Sequence, residues 1–165
     1  MTTVDTLREV AVNTSYLYSL VFLVGIALFK KQTSLVITST FLAIAEFIMQ
    51  AINDPVREFF NDKSVEYVLR LSGWIVFWSL VALFIIAMLQ KVHQWLNIAK
   101  GRELKVVQSC YVVVILLHGM FYINAMFLGT TILDMGYRYG ILIMNIGIAL
   151  YLLTELLIQA RKKYA

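Results

Sequence analysis

One uninterrupted apolar stretch limits what this chain can fold into. Residues 71–89, LSGWIVFWSLVALFIIAML, contain no charged residue; Arg70 precedes them, and Gln90 and Lys91 follow. A helix rises about 1.5 Å per residue, so one of this length can cross a hydrocarbon core of about 30 Å. A chain of 165 residues is too small to surround such a helix as a soluble domain would. The stretch therefore predicts a membrane-spanning helix.

The composition agrees with a membrane environment. Hydrophobic residues make up 61% of the chain and charged residues 15%, whereas roughly 25% of a soluble domain is charged. The formal net charge is +4, but the basic residues stand in short groups between apolar segments, where they act as topology signals. We therefore expect no nucleic-acid partner. The single cysteine, Cys110, excludes an intrachain disulfide and a CxxC redox pair.

Four further apolar segments have the length of membrane spans. With residues 71–89 they give five predicted helices, at about 10–29, 33–52, 71–89, 106–128 and 139–158. We expect an all-α polytopic integral membrane protein that forms one transmembrane domain over residues 1–165, with four spans as the alternative count. The lipid bilayer is its first partner.

Local signals between the spans predict the connections. Asp54 and Pro55 form an N-cap followed by proline, which predicts a short interfacial helix after span two. Ser64 is expected to cap the next helix, and Gly101 to stop an amphipathic extension of span three. Residues 129–138 are expected to form the loop before span five.

The distribution of basic residues predicts the orientation. With the N-terminus outside and the C-terminus inside, nine of the 14 Lys and Arg residues lie on the inner side, as the positive-inside rule requires. They are Lys30, Lys31, Lys91, Lys100, Arg102, Lys105, Arg161, Lys162 and Lys163. The expected location is the plasma membrane or the bacterial inner membrane.

Span two carries a polar stripe along one helical face. Ser39, Glu46 and Asn53 follow Gln32 at intervals of seven residues, and Gln50 lies on the same face. An ionised carboxylate at the depth of Glu46 costs roughly 3 kcal/mol on insertion scales, so it must be neutral, paired or in contact with water. The stripe is expected to face the bundle interior, a neighbouring subunit or a water-filled path.

Span four carries a related stripe that contains Tyr111 and His118. Counting about 1.5 Å per residue from the helix ends places His118 at the depth of Glu46, with Tyr16, Ser79 and Asn145 near the same layer. One interpretation is that these groups hydrogen-bond between helices; the other is a titratable Glu46 with His118 as its partner. The candidate transport or pore-lining residues are Ser39, Glu46, Gln50, Asn53, His118 and Asn145.

The sequence predicts no enzyme. It has two histidines, His93 and His118, which do not form a bis-histidine haem site in one chain, and it has no glycine-rich nucleotide loop and no serine nucleophile elbow. We expect no catalytic residue, no metal site and no cofactor.

Three functions remain open from the sequence. Five helices leave little internal volume for an aqueous path, which favours a homo-oligomeric channel or transport pathway lined by span two. The first alternative is a non-transporting accessory or assembly subunit whose stripe docks a membrane-protein partner. The second is a small proton-coupled exporter that uses the buried Glu46.

Overall fold

The computed structural model describes residues 13–29, 33–128 and 132–164, and the regular elements in these ranges are all helical. The helices are α1 Thr14–Phe29, α2 Ser34–Phe60, α3 Tyr67–Trp95, α4 Arg102–Ile123 and α5 Ile132–Tyr164. A π-helical turn, Asn124–Leu128, extends α4. The prediction of an all-α protein is confirmed.

Four of these helices are long and apolar enough to cross a membrane: α2, α3, α4 with its π-helical turn, and α5 from Met135. Helix α1 is apolar but has 16 residues. Residues 10–12 of the first predicted span, Lys30, Lys31 and Gln32 lie outside the described residues. The outer faces expose large apolar side chains such as Leu80, Phe84 and Leu116, which hydrocarbon accommodates. The chain is a helical, multi-pass membrane protein.

The five helices form a closed ring in chain order. Each helix packs on the next, and α5 packs on α1. Helix α2 also contacts α4 and α5, and 44% of its spanning window is buried, against 22% in α3, α4 and α5. The helix with the polar stripe is therefore the most central one, because its face is covered by the other helices of the same chain.

Polar contacts define the two ends of the bundle. At one end, Ser34 Oγ lies 3.0 Å from His93 Nε2 and accepts a hydrogen bond from the Gly101 N–H. At the same end, Lys163 donates to the backbone carbonyl of Leu28. The opposite end contains the α2–α3 connection. We call the first the basic end, because the described part of it carries Lys91, Lys100, Arg102, Lys105, Arg161, Lys162 and Lys163. We call the second the acidic end, after Asp54, Glu58, Asp62 and Glu66 at the α2–α3 connection.

The predicted interfacial helix after span two is wrong. Helix α2 runs through Asp54 and Pro55 without a break and ends at Phe60. Proline removes one hydrogen bond, to the carbonyl of Ala51, and Ala51, Asp54 and Pro55 are all exposed, so the helix tolerates the loss. The segment read as a separate helix is the last two turns of α2. Its Phe60 ring packs against α3.

The predicted cap at Ser64 is also wrong. Helix α3 has Glu66 at its N-cap, and that side chain makes no capping hydrogen bond. The Ser64 N–H donates instead to the Asp62 carboxylate at 2.9 Å. This backbone hydrogen bond stabilises the charged form and lowers the pKa of Asp62.

Helix α3 ends before Gly101, contrary to the prediction. Its last residue is Trp95, and Asn97 adopts a left-handed φ of 52°. The Ile98 N–H donates to the His93 carbonyl at 3.0 Å, and the Asn97 N–H donates to the last turn of the helix. This pair of bonds is a Schellman motif, in which asparagine replaces glycine. Gly101 is the N-cap of α4 instead.

The last connection is shorter than predicted. Helix α5 is already formed at Ile132, whereas the sequence placed residues 129–138 in a loop. Residues 129–131 lie outside the described ranges. The early start brings Tyr137 onto the helix, where its side chain reaches α4.

Candidate functional site

A cavity of about 440 Å³ lies among α2, α3, α4 and α5, in the half of the bundle nearer the acidic end. Its polar and aromatic lining residues are Glu46, Gln50, Asn53, Asp54, Trp74, Trp78, Tyr111, His118, Tyr137 and Asn145. Every candidate residue from the sequence except Ser39 therefore lines one cavity. The volume also exceeds what the sequence led us to expect of a single five-helix chain.

The cavity reaches the exposed Asp54 at the acidic end and stops at Ile85 and Tyr111 in the middle of the bundle. An apolar core fills the half nearer the basic end. Its most buried members are Leu35, Leu89, Leu104, Val107, Leu152 and Leu156. The arrangement of the described residues is a vestibule that is closed on one side by packed apolar side chains.

Glu46 projects from the middle of α2 into the cavity wall and is 6% exposed. Its Oε1 atom has no hydrogen-bond partner among the described residues. The titratable groups that interact with it electrostatically are Tyr18 of α1 and Tyr111 of α4. Burying a carboxyl oxygen without a hydrogen-bond partner costs free energy, so binding of a proton, a water molecule or a ligand at this carboxyl group would be stabilising.

Two further buried polar atoms on the cavity wall have no hydrogen-bond partner in the described chain. They are the indole Nε1 of Trp78 and the hydroxyl of Tyr111. Trp78 belongs to α3 and Tyr111 to α4, so three helices, including α2 with Glu46, each contribute one residue with such an atom to the cavity lining. Native proteins satisfy most buried polar atoms. Their concentration here distinguishes the cavity from a packing defect between apolar helices.

His118 does not pair with Glu46. No ion pair joins the two described side chains within 4.0 Å, and His118 Nδ1 lies 3.0 Å from the hydroxyl of Tyr137 instead. The error came from the helix boundary: α4 begins at Arg102 and not at 106, which shifts the depth of each residue on α4 by about 6 Å. Tyr111 is the α4 side chain that interacts electrostatically with Glu46.

The other candidates have identified contacts. The Gln50 amide donates to Ser15 Oγ at 3.2 Å, and the Asn53 amide lies 3.5 Å from Asp54 Oδ1. Tyr18 donates its hydroxyl to the backbone carbonyl of Asn145 at 3.2 Å. Two of these contacts join α2 and α5 to α1, and none of them involves Glu46.

Three residues that the sequence analysis singled out do not line the cavity: the pore-lining candidate Ser39, and Tyr16 and Ser79 of the predicted polar layer. Ser39 is fully buried nearer the basic end, and its hydroxyl donates to the carbonyl of Val36 at 3.0 Å. Tyr16 is 63% exposed and packs edge-on against Phe47 on the outer surface. Ser79 is half-buried but does not line the cavity. Ser39 is therefore not a lining residue of this cavity, whereas the common depth of Tyr16, Ser79 and Glu46 stays a prediction.

Sequence reasoning missed the aromatic part of the wall. Trp74 and Trp78 were not among the candidates, although their spacing of four residues places them on one helical face. Tyr137 was missed because residues 129–138 were assigned to a loop. The i, i+4 spacing of Trp74 and Trp78 could have indicated from sequence that they share a face, whereas the position of Tyr137 depended on where α5 begins.

The described residues contain no group of three or more His, Cys, Asp or Glu side chains that could hold a metal ion. Comparison of the chain with known protein families, with curated proteins and with solved structures finds no match.

Proposed function

We propose that the chain is a small membrane transport protein whose pathway is lined by the polar face of α2, with Glu46 as an exchangeable proton site. The observation that supports this most is Glu46 itself, a cavity-lining residue whose buried Oε1 atom has no hydrogen-bond partner in the described chain. Buried ionisable residues at membrane depth are typical of proton relays and substrate pathways.

The geometry favours a carrier formed by one chain over the homo-oligomeric channel. A channel shared between subunits would need the stripe on an outer face, but Glu46 and Ser39 are covered by helices of their own chain. The apolar core toward the basic end fits a carrier that opens to one side at a time. An accessory subunit is the remaining alternative, and such a subunit would show no proton flux.

The proposal includes five membrane spans, with α1 as the fifth, and the N-terminus outside. The concentration of lysine and arginine at the basic end supports a cytoplasmic location for that end in a plasma or bacterial inner membrane. In this orientation the cavity faces outward. Protons from the outer solution would then reach Glu46 past Asp54 and Asn53.

Glu46 is the only carboxyl group in the deep part of the described cavity wall. The other titratable side chains that line this space are Tyr111 and His118 from α4 and Tyr137 from α5, and Tyr18 of α1 interacts electrostatically with Glu46 from outside the lining. Helix α3 lines it with Trp74, Trp78 and aliphatic residues. A pH dependence of transport is therefore expected to depend first on Glu46, with His118 as the second contributor.

Proton flux into liposomes tests the proposal. Wild-type protein is reconstituted with a pH-sensitive dye inside, and the outside is acidified in steps between about pH 8 and 5. Glu46→Gln keeps the size and hydrogen bonding of the side chain, so it should assemble normally and lose the pH-dependent flux. Glu155→Gln is the matched control, because Glu155 is a half-buried carboxyl on α5 whose contact is Gln159.

Two results would remove the proton-coupled proposal. One is the absence of wild-type flux at every pH, and the other is equal flux in Glu46→Gln and wild type. Either result would favour the accessory subunit as the function of this chain.

A further inference from the structure

The side chains with a formal charge in the described cavity wall are acidic. Among the residues that the structure describes, the cavity lining contains the carboxyl groups of Glu46 and Asp54 and no lysine or arginine. Asp54 already forms an exposed ion pair with Arg57 at 3.2 Å at the mouth. Glu46 is thus the carboxyl left for a ligand, and a single desolvated carboxylate is best compensated by a single positive charge.

The wall beside Glu46 is aromatic. Trp74 and Trp78 lie on successive turns of α3, with ring centroids 5.6 Å apart and planes at 66°. Tyr111 faces them from α4, and Tyr137 closes the side toward α5. Aromatic faces attract cations through the ring quadrupole, and most strongly so for tryptophan. The same rings provide an apolar surface for the uncharged part of a ligand.

The cavity is better suited to an organic cation than to a metal ion. Its volume of about 440 Å³ lies within the range of small-molecule sites. Calcium and magnesium ions take six or more oxygen ligands, whereas this wall offers one carboxyl without a partner, amides and apolar rings.

We infer that this cavity binds a monovalent organic cation, with its charge against Glu46 and its apolar substituents against Trp74, Trp78 and Tyr111. The inference rests on the proposed function and names its substrate class, an ammonium or phosphonium compound of small-molecule size.

Equilibrium binding of tetraphenylphosphonium to the full chain in lipid nanodiscs tests the inference, with empty nanodiscs as the blank. We expect saturable binding that Glu46→Gln weakens by roughly tenfold or more. Trp78→Phe should weaken it several-fold, because the smaller phenyl ring attracts a cation less strongly than indole does. The matched controls are Glu155→Gln and Trp95→Phe, the latter at a tryptophan that is 65% exposed outside the cavity. Both controls should bind as wild type does.

Tetraphenylborate provides a test on the wild-type protein, without dependence on any variant. It has nearly the same size and shape as tetraphenylphosphonium but the opposite charge, so it should not compete for the site. The inference is overturned if the borate competes equally, if wild type shows no saturable binding of the phosphonium, or if Glu46→Gln binds it as tightly as wild type.

Binding and flux fail independently. Saturable, Glu46-dependent binding without proton flux would retain the cation site and reject transport. Glu46-dependent flux without phosphonium binding would retain transport and reject this substrate class.

Discussion

Ser34 connects three helices through a single hydroxyl group. His93 Nδ1 lies 2.7 Å from the Leu89 carbonyl, which can only accept, so Nδ1 carries the proton. In the neutral ring, Nε2 then accepts from the Ser34 hydroxyl, whose oxygen in turn accepts from the Gly101 N–H. The three groups satisfy one another in a buried position. This cluster joins the start of α2, the end of α3 and the start of α4 at the basic end.

Ser34→Ala should lower the free energy of unfolding by about 1–3 kcal/mol, since it leaves the His93 ring nitrogen and the Gly101 N–H without their partner. Thr154→Ala is the control, because it also removes one hydroxyl, but an exposed one that donates back to Leu150 of its own helix. The control should change stability by less than about 0.5 kcal/mol. Unfolding titrations in mixed micelles measure both, and equal values would refute the role given to Ser34.

The inward position of Glu46 was predictable from sequence, but its surroundings were not. A repeat of seven residues on a helix returns to nearly the same face, so Ser39, Glu46 and Asn53 had to share one side. Which residue of another helix lies opposite depends on where that helix begins. Tyr111, and not the predicted His118, is the α4 side chain that interacts with Glu46, although both line the cavity.

At the scale of elements, Asn97 determines how α3 turns into α4. Its φ of 52° is unfavourable for residues with a Cβ, and asparagine tolerates it better than most. The Schellman hydrogen bonds around it end the helix, and the chain continues to Gly101 in a non-helical conformation. The α3–α4 connection thus depends on one backbone conformation.

Asn97→Gly should preserve or slightly raise stability, whereas Asn97→Ala should lower it by about 1 kcal/mol, because alanine resists the left-handed conformation. Gln94→Ala is the control, since Gln94 is exposed on the last turn of α3, where alanine is a good helix former. Thermal unfolding in detergent compares the three variants. Equal midpoints for the Asn97 pair would contradict this account of the turn.

Element existence was easier to predict from sequence than element ends. Long apolar runs gave α2 to α5 because a bilayer requires about 20 apolar residues per helix. The predicted helix ends were wrong where a residue is compatible with two different positions relative to a helix. Pro55 can start a helix or stay inside an exposed end, and Gly101 can stop one helix or cap the next; tertiary contacts decide between them.

At the scale of the whole molecule, the basic end is expected to face the cytoplasm. Single cysteines at Lys100 and Lys63, introduced with Cys110 replaced by alanine, test this, because both lysines are exposed and lie at opposite ends. A membrane-impermeant maleimide added to intact cells should label position 63 and label position 100 only after permeabilisation. Labelling of position 100 in intact cells, with position 63 protected, would reverse the topology.

The cavity is formed by the helices of one chain, so each chain should transport independently even if the protein associates in the membrane. Wild type and Glu46→Gln are co-expressed with different tags at known ratios, and the mixture is reconstituted for the proton-flux assay. Independent pathways give a rate proportional to the wild-type fraction, so equal amounts should retain about half of the flux. A pore that needs an intact Glu46 from each of four subunits would retain roughly one sixteenth. Proportionality would place the pathway within each chain, whereas a steep loss would restore the homo-oligomeric channel that the polar stripe of α2 first indicated.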